Sequence, residues 1–349
     1  MKALLRSRRF QAAISIVLAV GLLAYFLSRV PLGDIGRQIA RASPAWLLAS
    51  IVVSLSIFVA RALRWTWILR PLGRVPFLPA FRATSIGFAA NTVLPARAGE
   101  VIRPALLARE RGLPFSALLA SIVFERFLDA LAQLAFLGIA LVAGVAGVAG
   151  ESGALSSGRI RWVVAAVAAV AVGIALFAVI WRSTTERMLE WIFRILPERL
   201  RPAAMRIAHT FLDGFASLKT PRLALLVGVG SIAMWGIINV QIWCVMRAFG
   251  LTLPLTAAFV VTTAGVLGLA VPTPGGVGGY HAAVQFALTD IFHVPLDVAT
   301  GVAVIAHAVS FVPISIIGFA FFAASPLQKG ELRKMAAEPA APAETSDLG

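Results

Sequence analysis

Pro-Thr-Pro-Gly-Gly-Val-Gly-Gly, residues 272–279, interrupts an apolar segment that extends from residue 254 to residue 290. Proline and glycine at this density cannot continue an α-helix. A break in apolar surroundings predicts a re-entrant hairpin, because non-helical backbone is tolerated at membrane depth only where protein or a water-filled cavity covers it. A second apolar segment, residues 77–95, is interrupted near Asn91 and Pro95, and we expect a second hairpin there.

The two interrupted segments follow the same plan along the chain. Arg70, Gly73, Leu78, Ala80, Pro95 and Gly99 recur at a constant offset as Arg247, Gly250, Leu255, Ala257, Pro272 and Gly276. Transporters often form their substrate site near the middle of the bilayer, where two repeated, Pro/Gly-interrupted segments meet. The pattern therefore predicts an internal repeat with halves of about residues 45–145 and 223–323.

The composition indicates an all-α polytopic membrane protein. Of the 349 residues, 59% are hydrophobic and 13% are charged, whereas a soluble domain carries about 25% charged residues. Six segments have the roughly 20 apolar residues that a spanning helix needs, namely 10–28, 45–63, 115–145, 161–181, 223–246 and 299–323. We expect residues 1–325 to form a single membrane domain and residues 326–349 to be a disordered tail.

The distribution of charge predicts the orientation of these segments. The formal net charge is +15, and most arginines, including Arg61 and Arg64, fall on the side that would also receive both termini. Cytoplasmic loops are enriched in Lys and Arg, so we expect a cytoplasmic-membrane protein with cytoplasmic termini and no nucleic-acid partner.

Residues 183–219 have the amphipathic pattern of helices that lie in the membrane interface. Three crossings separate the two hairpins, so the repeat is predicted to be inverted.

Ionisable residues are costly at membrane depth and mark functional paths. Two groups lie there: Arg97, Glu100 and Arg103 after the first break, and Glu125, Arg126 and Asp129 inside the segment 115–145. Arg97, Arg103 and Arg126 are candidate ligands of an anionic head group, since an arginine fork binds phosphate through two hydrogen bonds. The acidic residues, together with Arg64, would organise these arginines. The alternative is that the charges neutralise one another and only fasten the hairpin to the bundle.

The residues at the two breaks are candidates for the gating part of the hairpins. They are Asn91, Pro95, Gly99, Pro272, Pro274, Gly275, Gly276 and Gly278. The backbone N–H groups of the glycine-rich run can also accept an anion; the alternative is that the run only breaks the helix. His281 and His307 are secondary candidates, with a packing role as the alternative.

No motif in the sequence indicates an enzyme. The single cysteine, Cys244, and four scattered histidines lack the spacing of a metal site. Neither a nucleotide-binding motif nor a catalytic nucleophile motif is present. We therefore expect neither a metal nor another cofactor, and a self-contained aminoacyl or glycosyl transferase is not expected.

At the charged residues and the two breaks, the chain resembles the lysylphosphatidylglycerol synthase transmembrane-region family, whose members are also called flippase-like domain proteins. The family includes the membrane part of the multiple peptide resistance factor and archaeal dolichol-linked glycosylation proteins. The matching pieces are Arg61-Ala-Leu-Arg64-Trp65, Asn91 to Glu100 with Arg103, Glu125-Arg126 with Asp129, and Pro272 to Gly278. The resemblance covers roughly residues 10–325 and implies eight membrane-embedded segments and lipid handling. The family often has an acidic residue where this chain has His281, so the two hairpins are not expected to be symmetric in charge.

These observations predict a lipid translocator. An anionic lipid, either a phospholipid or a polyprenyl phosphate, would bind at the three candidate arginines between two hairpins that act as opposing gates. The alternative is an accessory subunit that transports nothing and positions a lipid-modifying enzyme or glycosyltransferase through residues 183–219.

Overall fold

The computed structural model describes residues 32–94, 97–143, 220–271 and 273–324, together with isolated positions between residues 162 and 201. In these ranges the regular structure is helical. The helices are α1 (Leu32–Arg41), α2 (Pro44–Ile68), α3 (Phe77–Val93), α4 (Gly99–Arg111), α5 (Phe115–Val142), α6 (Pro221–Ala248), α7 (Leu255–Gly268), α8 (Gly279–Phe286) and α9 (Leu296–Ala323). The all-α fold predicted from the sequence is confirmed.

Helices α2, α5, α6 and α9 occur where four of the crossings were predicted. Three of them, α2, α6 and α9, are long and apolar enough to cross a membrane. Helix α5 has 28 residues, as do α6 and α9, but it carries the charged residues of the predicted site. The predictions for 10–28, 161–181, 183–219 and 326–349 lie outside the described residues, apart from isolated positions.

Proline marks the start of most of these helices. Pro44 and Pro221 occupy the first turns of α2 and α6, where the missing N–H has no intrahelical partner to lose. Pro76, Pro114 and Pro254 directly precede α3, α5 and α7 in extended conformation. Local sequence therefore decides where these helices begin.

Helices α2 and α6 pack against each other in antiparallel orientation. The N–H of Ser43, just before α2, donates to the carbonyl oxygen of Ala248 at the end of α6, 2.8 Å away. Near the other end, Arg64 Nη1 of α2 donates to Ser231 Oγ of α6 at 2.9 Å. Because α3 follows the end of α2 and α7 follows the end of α6, the two broken segments start from opposite ends of this helix pair. Opposite starting points are the arrangement that an inverted repeat requires.

Each broken segment is a helical hairpin with short arms. We call α3 with α4 the first hairpin and α7 with α8 the second hairpin. At 1.5 Å per residue the arms are roughly 25, 20, 21 and 12 Å long, which is less than the ~30 Å hydrocarbon core. Their close packing requires glycine: a Cβ at Gly99 would clash with the Gly87 carbonyl oxygen, and a Cβ at Gly279 with that of Gly268.

The tips of the two hairpins meet inside the bundle. A Cβ built at Gly275 of the second break would lie 3.7 Å from Thr92 Cα, at the end of α3. Arg97, in the first break, donates from Nη2 to the carbonyl oxygen of Leu269 at the end of α7, 3.0 Å away. Two opposed hairpins in contact at their tips leave a space beside the tips, and the charged residues lie around that space.

Candidate functional site

Six charged side chains from three helices form one cluster, which we call the ion cluster. Helix α2 contributes Arg61 and Arg64, α4 contributes Arg103, and α5 contributes Glu125, Arg126 and Asp129. Arg126 is partly exposed, with a side-chain exposure of 35%, and the other five are buried. The cluster joins the first hairpin to both of the long helices that flank it.

Glu125 lies at the centre of the ion cluster and is fully buried. Its Oε1 atom accepts hydrogen bonds from Arg61 Nη1 at 3.0 Å and from Arg126 Nη2 at 3.1 Å. Arg64 Nη2 lies 3.2 Å from the same oxygen, and Arg103 Nη1 lies 3.0 Å from Oε2. One carboxylate therefore contacts all four arginines of the cluster.

Asp129 lies one helical turn farther along α5, on the same face as Glu125. Its Oδ1 atom is 2.7 Å from Arg64 Nη2 and accepts a hydrogen bond from Trp235 Nε1 at 3.1 Å. Its Oδ2 atom is 3.0 Å from Arg126 Nη2 and 3.3 Å from Arg61 Nη1. The predicted pair of Arg126 with Asp129 at a spacing of three is confirmed.

Trp65 fixes the plane of the Arg103 guanidinium. The Arg103 Cζ atom lies 3.8 Å from the centre of the Trp65 ring, a cation–π geometry. The ring is itself held by a hydrogen bond from its Nε1 to Ser121 Oγ at 2.9 Å. One face of the guanidinium is therefore covered and its donor edges have fixed directions.

The ion cluster is not electrically neutral. Four arginines share two carboxylates, so the cluster carries an excess of two positive charges. Several buried N–H groups, namely Arg61 Nε, Arg103 Nε, Arg103 Nη2 and Arg126 Nε, have no hydrogen-bond partner among the described residues. Unsatisfied buried donors and unpaired buried charge are both destabilising. A cluster that served only to fasten the hairpin would be expected to balance its charges.

A cavity of about 560 Å³ adjoins the ion cluster and lies between the two hairpins. Arg97, Arg103 and Arg126, the three arginines chosen from the sequence, all line it, and so does Arg61. The side towards the second hairpin and α9 carries uncharged polar groups, including Thr262, Thr273, Tyr280 and Ser310. The cavity therefore has one strongly cationic wall and one neutral wall.

Helix α5 carries a polar stripe, of which Asp129 and Gln133 line the cavity and Glu125 lies directly behind its wall. Glu125, Asp129 and Gln133 recur at every fourth position and are all buried. Gln133 Nε2 donates to Thr263 Oγ1 and, at 3.3 Å, to the carbonyl oxygen of Phe259 in α7. The same helix face thus contacts the first hairpin through Glu125 and the second hairpin through the Gln133 amide.

Arg97 and Glu100 form a separate, more exposed pair at the first break. Arg97 Nη1 lies 3.8 Å from Glu100 Oε1, with side-chain exposures of 49% and 32%. Arg97 adopts a positive φ of 54°, which is uncommon outside glycine. Its bond to the Leu269 carbonyl places Arg97 between the hairpins, at the edge of the cavity, rather than within the ion cluster.

The first break is closed by a side chain. Asn91 Oδ1, in the last turn of α3, accepts a hydrogen bond from the N–H of Gly99 at the start of α4, 2.8 Å away. An otherwise unpaired N–H at a helix start is thereby satisfied. Pro95, like Pro272 in the second break, lies outside the described residues.

The second break satisfies its backbone internally. The N–H groups of Gly276 and Val277 donate to Thr273 and Pro274 carbonyl oxygens at 3.0 and 3.2 Å. The N–H of Gly278 donates to His281 Nδ1 at 3.2 Å. Since these three amides already have partners, they are not free to accept an anion in this conformation. This arrangement favours the interpretation of the run as a helix breaker.

His281 and His307 both bind the backbone of the second break. His307 Nε2 donates to the Gly275 carbonyl oxygen at 2.8 Å, and the two rings lie 4.6 Å apart. Pro274, Gly275 and Gly276 form a short 3-10 turn in which Gly275 has a φ of 63°. The two histidines therefore hold the shape of the turn. His281 does so at the position where the family often has an acidic residue.

Sequence reasoning named Arg64 as a charge-organising residue, but it missed Arg61 and Gln133 as residues of the site. Helix α2 continues to Ile68, and Arg61 and Arg64 are 6% and 0% exposed within it. The spacing of three, which places Arg61 on the same helix face as Arg64, was a signal that could have found Arg61. Among the described residues, no group of three or more His, Cys, Asp or Glu side chains could hold a metal ion.

Several known proteins are similar to this chain over most of its length. A UPF0104 membrane protein of Methanothermobacter thermautotrophicus is 24% identical over 347 residues, which cover 92% of this chain and 98% of that protein. A second UPF0104 membrane protein of that organism is 24% identical over 322 residues, with coverages of 88% and 90%. Glycosyltransferase AglD of Haloferax volcanii is 26% identical over 332 residues, which are 87% of this chain but only 52% of AglD. The family model described as the lysylphosphatidylglycerol synthase TM region matches residues 12–318, and the chain therefore belongs to this family of multi-pass membrane proteins.

Proposed function

We propose that this protein binds the head group of an anionic lipid at the ion cluster and carries the lipid across the cytoplasmic membrane. One observation carries the proposal: four arginines line a cavity between two opposed hairpins, and three of them, Arg61, Arg103 and Arg126, keep buried N–H donors without partners just behind the cavity surface. Anionic phospholipids and polyprenyl phosphates both offer phosphate oxygens to such a wall. Arginine binds phosphate in a planar, bidentate manner that lysine does not reproduce.

The inverted repeat provides a route for movement. The hairpins start from opposite ends of the α2–α6 pair, so withdrawal of one tip would open the cavity to one side and withdrawal of the other tip to the opposite side. Alternating access around a fixed site at a repeat interface is the usual mechanism of such folds. The contacts between the tips, from Arg97 to Leu269 and from Thr92 to Gly275, would break on opening.

We infer that the protein acts by binding rather than by catalysis. The groups on the cationic wall are guanidinium groups and carboxylates that already pair with one another. Such groups can bind a charged ligand through electrostatic contacts. The predicted cytoplasmic position of both termini, and of residues 183–219, is part of the same proposal and rests on the distribution of arginine.

An accessory role is the second candidate function. The chain spans about half the length of AglD, so in that glycosyltransferase the region similar to this chain is accompanied by a further stretch of similar length. A lipid-binding membrane region could therefore present lipid to an enzyme without transporting it. Stable co-purification of a lipid-modifying enzyme, together with an absence of lipid translocation by the purified chain, would favour this role.

Reconstitution into liposomes tests transport directly. The exposure of a fluorescently labelled anionic lipid in the outer leaflet would be followed by quenching, for the native protein, for Arg103→Gln and for Arg82→Gln. Arg82 pairs with Glu110 away from the cavity, with side-chain exposures of 39% and 31%. Arg82→Gln is therefore a matched control, because it also removes one arginine from the first hairpin. We expect Arg103→Gln to slow translocation about tenfold or more, given the strength of hydrogen bonds to charged groups, and Arg82→Gln to leave the rate unchanged. Equal rates for Arg103→Gln and the native protein, both folded, would overturn the proposed site.

A further inference from the structure

We propose that the cavity selects a doubly charged phosphate head group, such as a phosphate monoester, over the singly charged phosphodiester of most phospholipids. The inference deepens the proposed function and rests on it. It follows from two independent properties of the site: its excess charge and the arrangement of its free N–H donors.

The charge excess is the same wherever the boundary of the site is drawn. Among the described residues, the cavity wall contains four arginines, Arg61, Arg97, Arg103 and Arg126, and two carboxylates, Glu100 and Asp129. The layer directly behind it adds Arg64 and Glu125, which are both fully buried and lie 3.2 Å apart. Their charges cancel, so the excess is two positive charges with or without that layer.

A phosphodiester would neutralise half of this excess. Its phosphate carries one negative charge, so one positive charge of a largely buried cluster would stay unbalanced, and unbalanced buried charge is unfavourable. A phosphate monoester carries nearly two negative charges above its second pKa of about 6. The monoester therefore matches the excess, whereas the diester leaves one positive charge unbalanced.

The free donors point to the same preference. Arg103 keeps both Nε and Nη2 without hydrogen-bond partners, and these two atoms form one edge of the guanidinium. Trp65 covers a face of that guanidinium, so the edge has a fixed direction. Arg61 Nε and Arg126 Nε are also without partners, and both residues contact the same two carboxylates.

Three arginines with free donors around one pair of carboxylates suit a phosphate with three terminal oxygens. A monoester offers three such oxygens, which share its charge, whereas a diester offers two. In the present conformation these donor atoms are shielded from solvent. Binding would therefore involve a local rearrangement of the cluster, in which phosphate oxygens complete donor sets that are now incomplete.

A matched pair of lipids tests the inference with the full-length protein in nanodiscs of neutral lipid. Phosphatidic acid is a monoester, and phosphatidylmethanol with the same acyl chains differs from it by one methyl group, which removes one charge. At pH 8, native mass spectrometry or ligand-dependent thermal shift would give the affinity for each. We expect phosphatidic acid to bind at least tenfold more tightly. Equal affinity, or tighter binding of phosphatidylmethanol, would overturn the inference.

Variants connect any preference to the cavity. Arg103→Gln lowers the excess from two to one, so the preference for phosphatidic acid should fall towards parity, whereas Arg82→Gln should retain it. An unchanged preference in folded Arg103→Gln would show that the selectivity arises elsewhere and would overturn the assignment.

Inorganic phosphate and glycerol phosphate serve as competitors that lack acyl chains. We expect both to compete far more weakly than phosphatidic acid, and equal competition by free phosphate would overturn the assignment of a lipid ligand.

The inference and the proposed function fail in distinguishable ways. If both lipids are translocated at equal rates and Arg103→Gln abolishes the translocation of both, the proposed transport stands and the selectivity for a doubly charged head group is wrong. If neither lipid binds in the cavity and neither is translocated, the proposed function itself is wrong.

Discussion

Arg97 and Leu269 join the two hairpins: the Arg97 Nη2 atom donates a hydrogen bond to the Leu269 carbonyl oxygen at 3.0 Å. Leu269 caps the C-terminal end of α7, where carbonyl groups lack helical partners and carry partial negative charge. About half of the Arg97 side chain is exposed, and contacts of such groups are weak. A weak bond that spans the gap between the hairpins suits the proposed transport cycle, in which this contact would break and re-form.

Cross-linking across this contact should stop transport. In a Cys244→Ala background, Arg97→Cys combined with Leu269→Cys would be treated with a short bis-methanethiosulfonate, which forms a disulfide with each cysteine as its sulfinate groups leave. We expect lipid translocation in liposomes to fall to the protein-free rate and to recover after reduction, because the tips could not separate. Each single-cysteine variant, treated in the same way, should keep its own untreated rate. Full transport by the cross-linked protein would show that the tips stay together throughout the cycle.

Loss of the Glu125 charge should destabilise the fold strongly. Glu125→Gln raises the charge excess of the ion cluster from two to three and weakens contacts with four arginines. Breaking a buried ion pair costs about 3–5 kcal/mol, which unfolding in mixed micelles would measure. Glu110→Gln is the control, because the pair with Arg82 is partly exposed and such pairs contribute about 0–1 kcal/mol. Similar stabilities for the two variants would contradict the central position of Glu125.

Removing Arg64 together with Glu125 should restore part of that stability. Arg64 is fully buried and contacts both carboxylates, yet it does not line the cavity. The double change Arg64→Gln and Glu125→Gln returns the charge excess to two, so its destabilisation should be smaller than the sum of the single effects. Coupling energies of contacting residues are about 0.5–3 kcal/mol. An additive double-mutant cycle would show that the two groups do not act on each other in the native protein.

The glycine contact within the first hairpin should not tolerate a methyl group. A Cβ at Gly99 would clash with the Gly87 carbonyl oxygen and the Asn91 side chain, so Gly99→Ala should separate the arms and destabilise the protein by about 1–3 kcal/mol or more. Gly228, in α6, has no neighbour within 4 Å of such a Cβ. Gly228→Ala should be neutral or stabilising, since alanine favours helix. The same unfolding measurement compares the two, and a neutral Gly99→Ala would contradict the observed packing of the arms.

The sequence alone determined the helical segments, the two breaks and the choice of three arginines. Apolar length, proline at helix starts and glycine-rich interruptions act over a few residues, so α2, α5, α6 and α9 could be predicted without knowledge of the packing. The inverted orientation followed from the number of crossings. The antiparallel contact of α2 with α6, through Ser43 and Ala248, is consistent with that prediction.

Only the tertiary structure decided which charges meet. Arg61 looked like a residue near the end of a crossing, and it joined the ion cluster because α2 packs beside α5, far away in the sequence. Arg97 and Arg103 looked equivalent, but one bonds to the opposite hairpin and the other is stacked on Trp65. The charge excess of the cluster is a sum over three helices, and no local pattern contains it. Side-chain direction and burial depend on how whole helices pack, which is why the sequence indicated the kinds of groups in the site and the fold determined how they are partnered.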